Sequence, residues 1–201
     1  MGGFFYPAIA VVAMMYALFD VNYFIRVFFT LSWRKLIPVK RRKISDAINI
    51  YGFCTTNDVD LFITHMNNAR FIRELDFARF DYYHRTGIYE VVASRGGSSL
   101  QVATTVRHRR VMPVFTFYRI ETKLIYWDQK AAYLEHKFIT LSDNFVRATV
   151  FSKQQMVGLR MSTDDVINEI DPGMQKPEAP EDLTHWIKYN ESSSEKLRKV
   201  D

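Results

Sequence analysis

The sequence predicts an α+β protein in which an antiparallel sheet wraps around one long helix, preceded by an N-terminal apolar membrane helix. Three features predict this order. Residues 2–19 carry no charge. From Asn68 to about residue 84, Phe71, Leu75 and Tyr82 recur at helical spacing. After Gly96-Gly97 come runs with strand character, separated by short polar breaks that favour an antiparallel meander: residues 100–110, 114–127, 131–141 and 145–154.

The amino terminus has the length and composition of a membrane segment. Residues 1–30 are predicted to form a signal-anchor helix, with residues 4–29 in contact with the membrane. A bilayer crossing needs about 20 mostly apolar residues, and residues 4–25 provide them. The alternative is a signal peptide whose cleavage releases a secreted protein. No positive residue precedes the apolar run and no small-x-small cleavage pattern ends it, which favours the anchor.

A basic linker follows at residues 31–45, with its charge in Arg34, Lys35, Lys40, Arg41, Arg42 and Lys43. Lys and Arg accumulate on the cytoplasmic side of membrane segments. The cluster therefore predicts an N-terminally anchored protein whose remaining chain faces the cytosol. The cluster itself is either a solvated linker or an electrostatic attachment to anionic lipid.

The charge is confined to this amino-terminal region. The whole chain has a net charge of +5, but residues 1–45 hold seven basic residues against Asp20 alone, which leaves the rest at −1. A nearly neutral body argues against a nucleic-acid partner. Cys54 is the single cysteine, so no intrachain disulfide forms and the composition is typical of a reducing compartment. We expect Cys54 to be a small buried strand residue.

The remaining chain divides into a domain at residues 46–160 and a C-terminal extension at residues 161–201. Residues 44–56 are predicted to form the first strand, and Gly87 to end the long helix as its C-terminal cap. In the extension, a short helix is expected at residues 164–170 and a terminal helix at residues 182–199, separated by a Pro-containing linker. Trp186 and Tyr189 of the terminal helix are expected to pack back onto the domain.

The run from Asp58 to Phe71 is the candidate active site. It places a carboxylate, Asp60, and an imidazole, His65, just before the long helix, with Asn67 or Asn68 as its N-cap. The first N–H groups of a helix lack internal partners and carry partial positive charge, so they suit a developing oxyanion. Asp60, His65 and Asn67 are therefore the candidate catalytic residues.

The same run carries a resemblance to a known family. Asp58-Val59-Asp60 and His65-Met66-Asn67-Asn68 resemble the signature of hot-dog thioesterases of the 4-hydroxybenzoyl-CoA and acyl-carrier-protein type. Three further blocks, at residues 67–79, 107–110 and 185–191, together with the apolar amino terminus, resemble one member of the thioesterase superfamily over nearly the whole chain.

The resemblance implies a hot-dog fold that forms a homodimer, with acyl-thioester sites at the dimer interface. It implies that Asp60 is the nucleophile or general base and that His65 and Asn67 polarise the substrate or orient water. Asn68, Arg109 and Arg110 are the candidate substrate-binding residues. The expected function is an acyl-CoA or acyl-thioester hydrolase of lipid metabolism at the endoplasmic reticulum or another endomembrane. The alternative is a non-catalytic hot-dog protein that binds acyl lipids or partner proteins there.

Two departures from the family pattern keep both alternatives open. His65 lies five residues after Asp60 rather than four, and one extra residue in an extended segment reverses the side chains after it unless a bulge absorbs it. Val111 and Met112 follow Arg109-Arg110 where related enzymes carry an acidic residue. No cofactor is expected. No metal is expected either, because the histidines lack metal-ligand spacing and no H-E-x-x-H or C-x-x-C motif occurs.

Overall fold

The computed structural model describes residues 5–36 and 40–198. The predicted helix residues 1–4, the linker residues 37–39 and residue 199 of the last predicted helix lie outside this part of the chain. The chain forms two compact units, Met1–Lys40 and Arg41–Asp201.

The first unit contains two helices where the sequence predicted one. They are α1, Phe5–Leu18, and α2, Val21–Leu36. Asp20 lies at the break, and its Oδ1 accepts a hydrogen bond of 3.1 Å from the Tyr23 backbone N–H, as an N-cap does. In the parts of the chain that the structure describes, no single helix is long and apolar enough to cross a membrane. Residues 6–18 and 21–30 reach that length and composition together, as a pair bent by 83°.

The second unit is an α+β domain. Its helices are α3, Asn68–Thr86, α4, Ile88–Ser94, α5, Thr163–Ile170, and α6, Glu181–Arg198. Its strands are β1, Ile48–Phe53, β2, Ser98–His108, β3, Phe117–Trp127, β4, Ala131–Thr140, and β5, Val146–Val157. Helix α4 follows α3 directly. It was not predicted, because Gly87 was interpreted as the C-terminal cap of the long helix and no second helix was expected after it.

The strands form one antiparallel sheet in the order β1-β3-β4-β5-β2. Strands β3, β4 and β5 form the predicted meander. The prediction that β2 continues it is wrong, because β2 pairs with β5 at the far edge. The segment after β2 instead runs across to the start of α3, where the Met66 N–H donates to Met112 O at 2.8 Å. This crossing brings residues 109–116 to the candidate site.

Helix α3 buries its predicted apolar stripe against the sheet. Phe71, Leu75, Ala78 and Tyr82 are all buried. Phe71 and its neighbours pack against sheet residues that include Ile120, Phe138 and Val150. The helix ends as predicted at Gly87, whose φ of 92° is the left-handed conformation that glycine adopts without strain.

The C-terminal extension packs partly on the domain. Ser162 and Asp165 form a capping box at the start of α5. In α6, Leu183 is buried and the Trp186 ring lies 6.4 Å from that of Tyr133, as expected for a helix that packs back. The same expectation for Tyr189 is wrong, since its side chain is 68% exposed. It lies three residues after Trp186, on a part of the helix that the sheet does not cover.

Candidate functional site

Residues 58–67 form a closed loop just before α3. Val59 and Met66 pair as an antiparallel bridge. The Asp60 N–H donates to His65 O at 2.9 Å, and the Asn67 N–H donates to Asp58 O at 2.8 Å. At the tip, Ile63 has φ 56°, a left-handed conformation that is costly for a β-branched residue. This turn absorbs the extra residue between Asp60 and His65, so that both lie at the neck of the loop.

The Asp60 carboxylate is held by backbone groups of this loop. Its Oδ1 accepts hydrogen bonds from the N–H groups of Thr64, at 3.2 Å, and of His65, at 3.4 Å. Desolvation raises the pKa of Asp60, but these hydrogen bonds outweigh it and hold the pKa below its ordinary value. The carboxylate is therefore ionised at neutral pH.

His65 lies beside this carboxylate. Its Nδ1 is 3.8 Å from Asp60 Oδ1, which is within ion-pair range but too long for a direct hydrogen bond. The hydroxyl of Thr64 bridges the two, at 2.7 Å from His65 Nδ1 and 3.4 Å from Asp60 Oδ1. Thr64 was missed at the sequence level, although a hydroxyl directly before the candidate histidine was a readable signal.

The two asparagines lie at the start of α3. Asn67 is the N-cap, and its Oδ1 accepts a hydrogen bond of 2.9 Å from the Ala69 N–H. Its side-chain oxygen is therefore committed to the helix. Asn68 is the first helical residue and is exposed, and its N–H donates to no residue that the structure describes. This N–H is the free donor at the positive end of the helix.

Asp58 stabilises the loop from the other side. Its Oδ2 accepts hydrogen bonds from the Thr55 N–H, at 2.8 Å, and the Thr55 hydroxyl, at 2.7 Å. Its Oδ1 forms an ion pair with Arg70 Nη2 at 2.5 Å. Desolvation raises the pKa of Asp58, but these contacts outweigh it and lower the pKa. Asp58 thus ties the loop to the first turn of α3.

Arg109 and Arg110 follow β2 and are exposed. Their guanidinium carbons lie 4.8 and 4.4 Å from the centre of the Phe145 ring, and Arg147 contacts the same ring at 5.2 Å. Asp143 pairs with Arg147 at 2.6 Å. The arginines therefore form a cationic cluster ordered by an aromatic ring.

The chain joins this arginine cluster to the loop. His65 and Pro113 form an isolated bridge, and the Val114 N–H donates to Thr64 O at 3.1 Å. The His108 ring lies 4.9 Å from that of Phe71, in the first turn of α3. The structure thus brings the loop, the start of α3 and the segment after β2 together, although it gives no direct contact between Asp60 and the arginines.

Large apolar side chains surround the loop on its exposed side. Leu61 is 90% exposed, Phe62 77% and Ile63 62%. In the neighbouring segment, Phe115 is 65% exposed and its ring lies 6.3 Å from that of Phe53. An apolar surface of this kind is typical of a binding interface.

Two other kinds of catalytic site, a reactive cysteine and a metal centre, have little support in this domain. Burial, followed by the charges of Asp58 and Glu74, raises the pKa of Cys54 to about 11, so the thiol is not activated. Among residues 5–36 and 40–198, no group of three or more His, Cys, Asp or Glu side chains is arranged to hold a metal ion.

Comparison with known proteins identifies the family. Residues 54–187 match the family described as the thioesterase-like superfamily. The chain belongs to this superfamily. It is 50% identical to "Protein THEM6" of Drosophila melanogaster, over 95% of this chain and 97% of that protein.

Solved structures of thioesterases share the fold. The probable thioesterase YbaW from Escherichia coli superposes with a TM-score of 0.56 and 17% identity, covering 61% of this chain and 94% of that one. The 4-hydroxybenzoyl CoA thioesterase from Pseudomonas sp. superposes with a TM-score of 0.54 and 17% identity, covering 62% and 98%. The predicted hot-dog thioesterase fold is therefore confirmed for the domain.

Proposed function

We propose that this thioesterase-like protein hydrolyses acyl-CoA or a related acyl thioester, with Asp60 as the nucleophile. The observation that carries the proposal is the ionised Asp60 carboxylate held beside His65 and Thr64, in the loop that leads into α3. A thioester carbonyl is electrophilic, and the first N–H of a helix supports the charge that develops on its oxygen.

The lowered pKa keeps the Asp60 carboxylate ionised, as a nucleophilic mechanism requires. In this mechanism a carboxylate oxygen of Asp60 bonds to the acyl carbon. The C–S bond breaks and its electron pair leaves with the sulfur, which takes a proton from water. Water then cleaves the mixed anhydride, which releases the fatty acid and restores Asp60.

The proposal assigns the binding of coenzyme A to Arg109 and Arg110. Coenzyme A carries phosphates, and guanidinium groups bind phosphate through paired hydrogen bonds. Both arginines are exposed, and their segment reaches the loop through the pairing of residues 112–114 with residues 64–66. The exposed apolar surface around Leu61 and Phe62 would accept the acyl chain.

The test uses the full chain in detergent and a series of acyl-CoAs from short to very long. Released thiol is the readout. Asp60→Asn should abolish turnover, while Glu178→Gln, which removes an exposed carboxylate far along the chain, should leave it unchanged. No turnover with any chain length would contradict the enzyme proposal.

A non-catalytic role is the second candidate. Val111 and the fully buried Met112 stand where related enzymes carry an acidic residue, which favours a site with fewer reactive groups. Binding of acyl-CoA without turnover, lost on Arg109→Gln/Arg110→Gln, would support this second role.

We propose further that residues 4–29 attach the protein to the endoplasmic reticulum or another endomembrane, with the domain in the cytosol. The support is the composition of the bent pair α1 and α2 and the basic residues that follow it. A glycosylation tag added after Asp201 should stay unmodified in cells. Modification of this tag would favour the alternative, a secreted protein.

The protein is also proposed to be a homodimer. Strand β2 is an edge strand with Leu100 52% and Val102 47% exposed. An exposed apolar edge strand is a ready surface for pairing with a second chain.

A further inference from the structure

Residues 41–44 are folded onto the domain rather than extended in solvent. The Arg42 N–H donates to Arg85 O at 2.9 Å, and Arg41 Nη1 donates to His84 O at 3.0 Å. Ile44 is fully buried, and its carbonyl accepts a hydrogen bond from the Tyr82 hydroxyl. The end of the basic cluster is therefore held in place by the last turns of α3.

A cleft of about 570 Å³ opens beside this segment. One wall is residues 41–44, another is the corner between α3 and α4, and the third is the end of α5 at Ile170 and Asp171. Gly87 forms the corner with φ 92°, and a Cβ there would lie 3.1 Å from Arg41 Nη1. Val91 and Ile170 give the cleft an apolar part.

The charges in the cleft are not balanced. Arg41 is paired with Glu90 at 3.2 Å. The side chains of Arg42 and Lys43 are exposed and make no hydrogen bond or ion pair with any described residue. Asp171 is the remaining carboxylate of the lining. Two unpaired cations beside an apolar surface suit a ligand that combines a phosphate group with an apolar portion.

The cleft is separate from the thioester site. It lies at the carboxyl end of α3, while Asp60 precedes the amino end, and the 19 residues of this helix span about 28 Å.

We propose that this cleft binds the phosphate headgroup of an anionic phospholipid through Arg42 and Lys43. The proposal rests on the membrane attachment proposed above and is independent of thioester hydrolysis. Asp171 is placed to accept hydrogen bonds from headgroup hydroxyls, so a polyol headgroup such as that of a phosphoinositide fits the lining. Phosphates approach Arg42 and Lys43, and the glycerol and first acyl carbons approach Val91 and Ile170.

The test is photocrosslinking of the full chain in phosphatidylcholine nanodiscs that contain a photoactivatable phosphatidylinositol 4-phosphate. We expect label in peptides that contain Val91 or Ile170. Arg42→Gln/Lys43→Gln should lower this label roughly thirtyfold, because each cation near an anionic surface contributes about fivefold to lipid binding. The matched control is Lys123→Gln/Lys130→Gln, which removes two exposed charges elsewhere and should leave the label unchanged.

Three outcomes would overturn the proposal. In the first, the Arg42→Gln/Lys43→Gln variant is labelled as strongly as the wild type. In the second, the control variant loses as much label as that variant does. In the third, inorganic phosphate displaces the probe as effectively as unlabelled lipid, which would assign the cleft to a free anion. Failure of the full chain to enter nanodiscs would refute the membrane attachment instead. The same probe in mixed micelles then tests the cleft alone, with the same variants and the same expected results.

Discussion

Asp58 and Asp60 lie two residues apart and have different surroundings. The Asp58 side chain is 10% exposed and is paired with Arg70. The Asp60 side chain is 18% exposed, faces His65 and is held mainly by backbone N–H groups. The first carboxylate therefore contributes to the stability of the loop, while the second keeps an ionised group near the surface.

This contrast predicts that two matched substitutions affect different properties, one the stability of the protein and the other its turnover. Asp58→Asn should lower the free energy of unfolding by about 2 kcal/mol, because Arg70 loses its charged partner. The corresponding drop in Tm is about 4–8 °C for a chain of this size. Asp60→Asn should change Tm little but abolish turnover. Thermal denaturation of both variants in the same detergent separates the two roles, and a larger drop for Asp60→Asn would reverse the assignment.

His136 is a second residue whose surroundings decide its chemistry. It is fully buried, and its ring nitrogens lie 2.9 Å from the hydroxyls of Thr122 and Ser152. Burial, and then the charge of Arg79, lowers the pKa of His136 to about 3. The imidazole is therefore neutral in the folded protein and serves as a core hydrogen-bonding group.

The buried imidazole predicts a loss of stability in mild acid. The unfolded chain binds a proton at His136 near pH 6.5, whereas the folded protein binds it only near pH 3. Between about pH 6.5 and about pH 3, His136 therefore destabilises the fold by about 1.4 kcal/mol for each unit by which the pH falls. Chemical denaturation at about pH 7.5, 6.0 and 5.0 measures this slope, because these values lie on both sides of about pH 6.5. His136→Gln should reduce the slope, and an unchanged slope would show that another group titrates.

At the scale of elements, the loop before α3 combines a strained turn with an exposed apolar tip. Ile63 has φ 56° and is 62% exposed. Strain of this kind persists only where other contacts require it, here the bonds between residues 58–60 and 65–67. The turn thus sets the direction in which Asp60 and His65 point.

Replacing Ile63 with glycine should relieve this strain. We expect Ile63→Gly to stabilise the protein by about 1 kcal/mol, because glycine adopts the left-handed region freely and the exposed side chain has little packing to lose. Leu61→Gly is the control, since Leu61 is 90% exposed and has no positive φ. Equal changes in Tm for the two variants would show that the turn is not strained.

At the scale of the whole molecule, the two edges of the sheet differ. Strand β1 has six residues, while β2 has eleven and carries a register shift between Gln101 and Ala103. The longer edge offers more backbone groups for pairing with a second chain. This asymmetry makes β2 the edge proposed for the dimer.

A charge on this edge should therefore separate the subunits. Val102→Lys places an ammonium group on the pairing surface, and we expect the molar mass from size exclusion with light scattering to fall by half after correction for detergent. Leu197→Lys in α6, at a residue 67% exposed, is the matched control and should keep the parent mass. A wild-type monomer would contradict the proposed homodimer.

Most elements of the domain could be predicted from local patterns. The stripe of Phe71, Leu75 and Tyr82 predicted α3, and the asparagines and Gly87 marked its ends within a few residues. The separated strand runs predicted β2 to β5 in the same way. Helix α4 was missed because a glycine cap ends one helix without preventing the next from starting one residue later.

The candidate site was only partly predictable. Asp60, His65 and Asn67 were selected as candidates from their types and their place before the long helix, and their catalytic role is a proposal. The left-handed conformation of Ile63 decides whether the extra residue turns His65 away from Asp60. Such a backbone dihedral at a β-branched residue has no sequence signature. The bridging role of Thr64 and the arrangement of Arg109 and Arg110 around Phe145 depend on segments far apart in the chain.

Local residue patterns are enough to establish the superfamily, the long helix, its caps and the catalytic candidates, because hydrophobic period and capping chemistry operate over a few neighbouring residues. They do not establish the place of β2 at the sheet edge, the closing of the loop around Asp60 and His65, or the folding of residues 41–44 onto α3. Those features depend on hydrogen bonds and packing between segments distant in sequence, such as Met66 with Met112 and Ile44 with Tyr82. Such contacts form only when the chain has collapsed around one core.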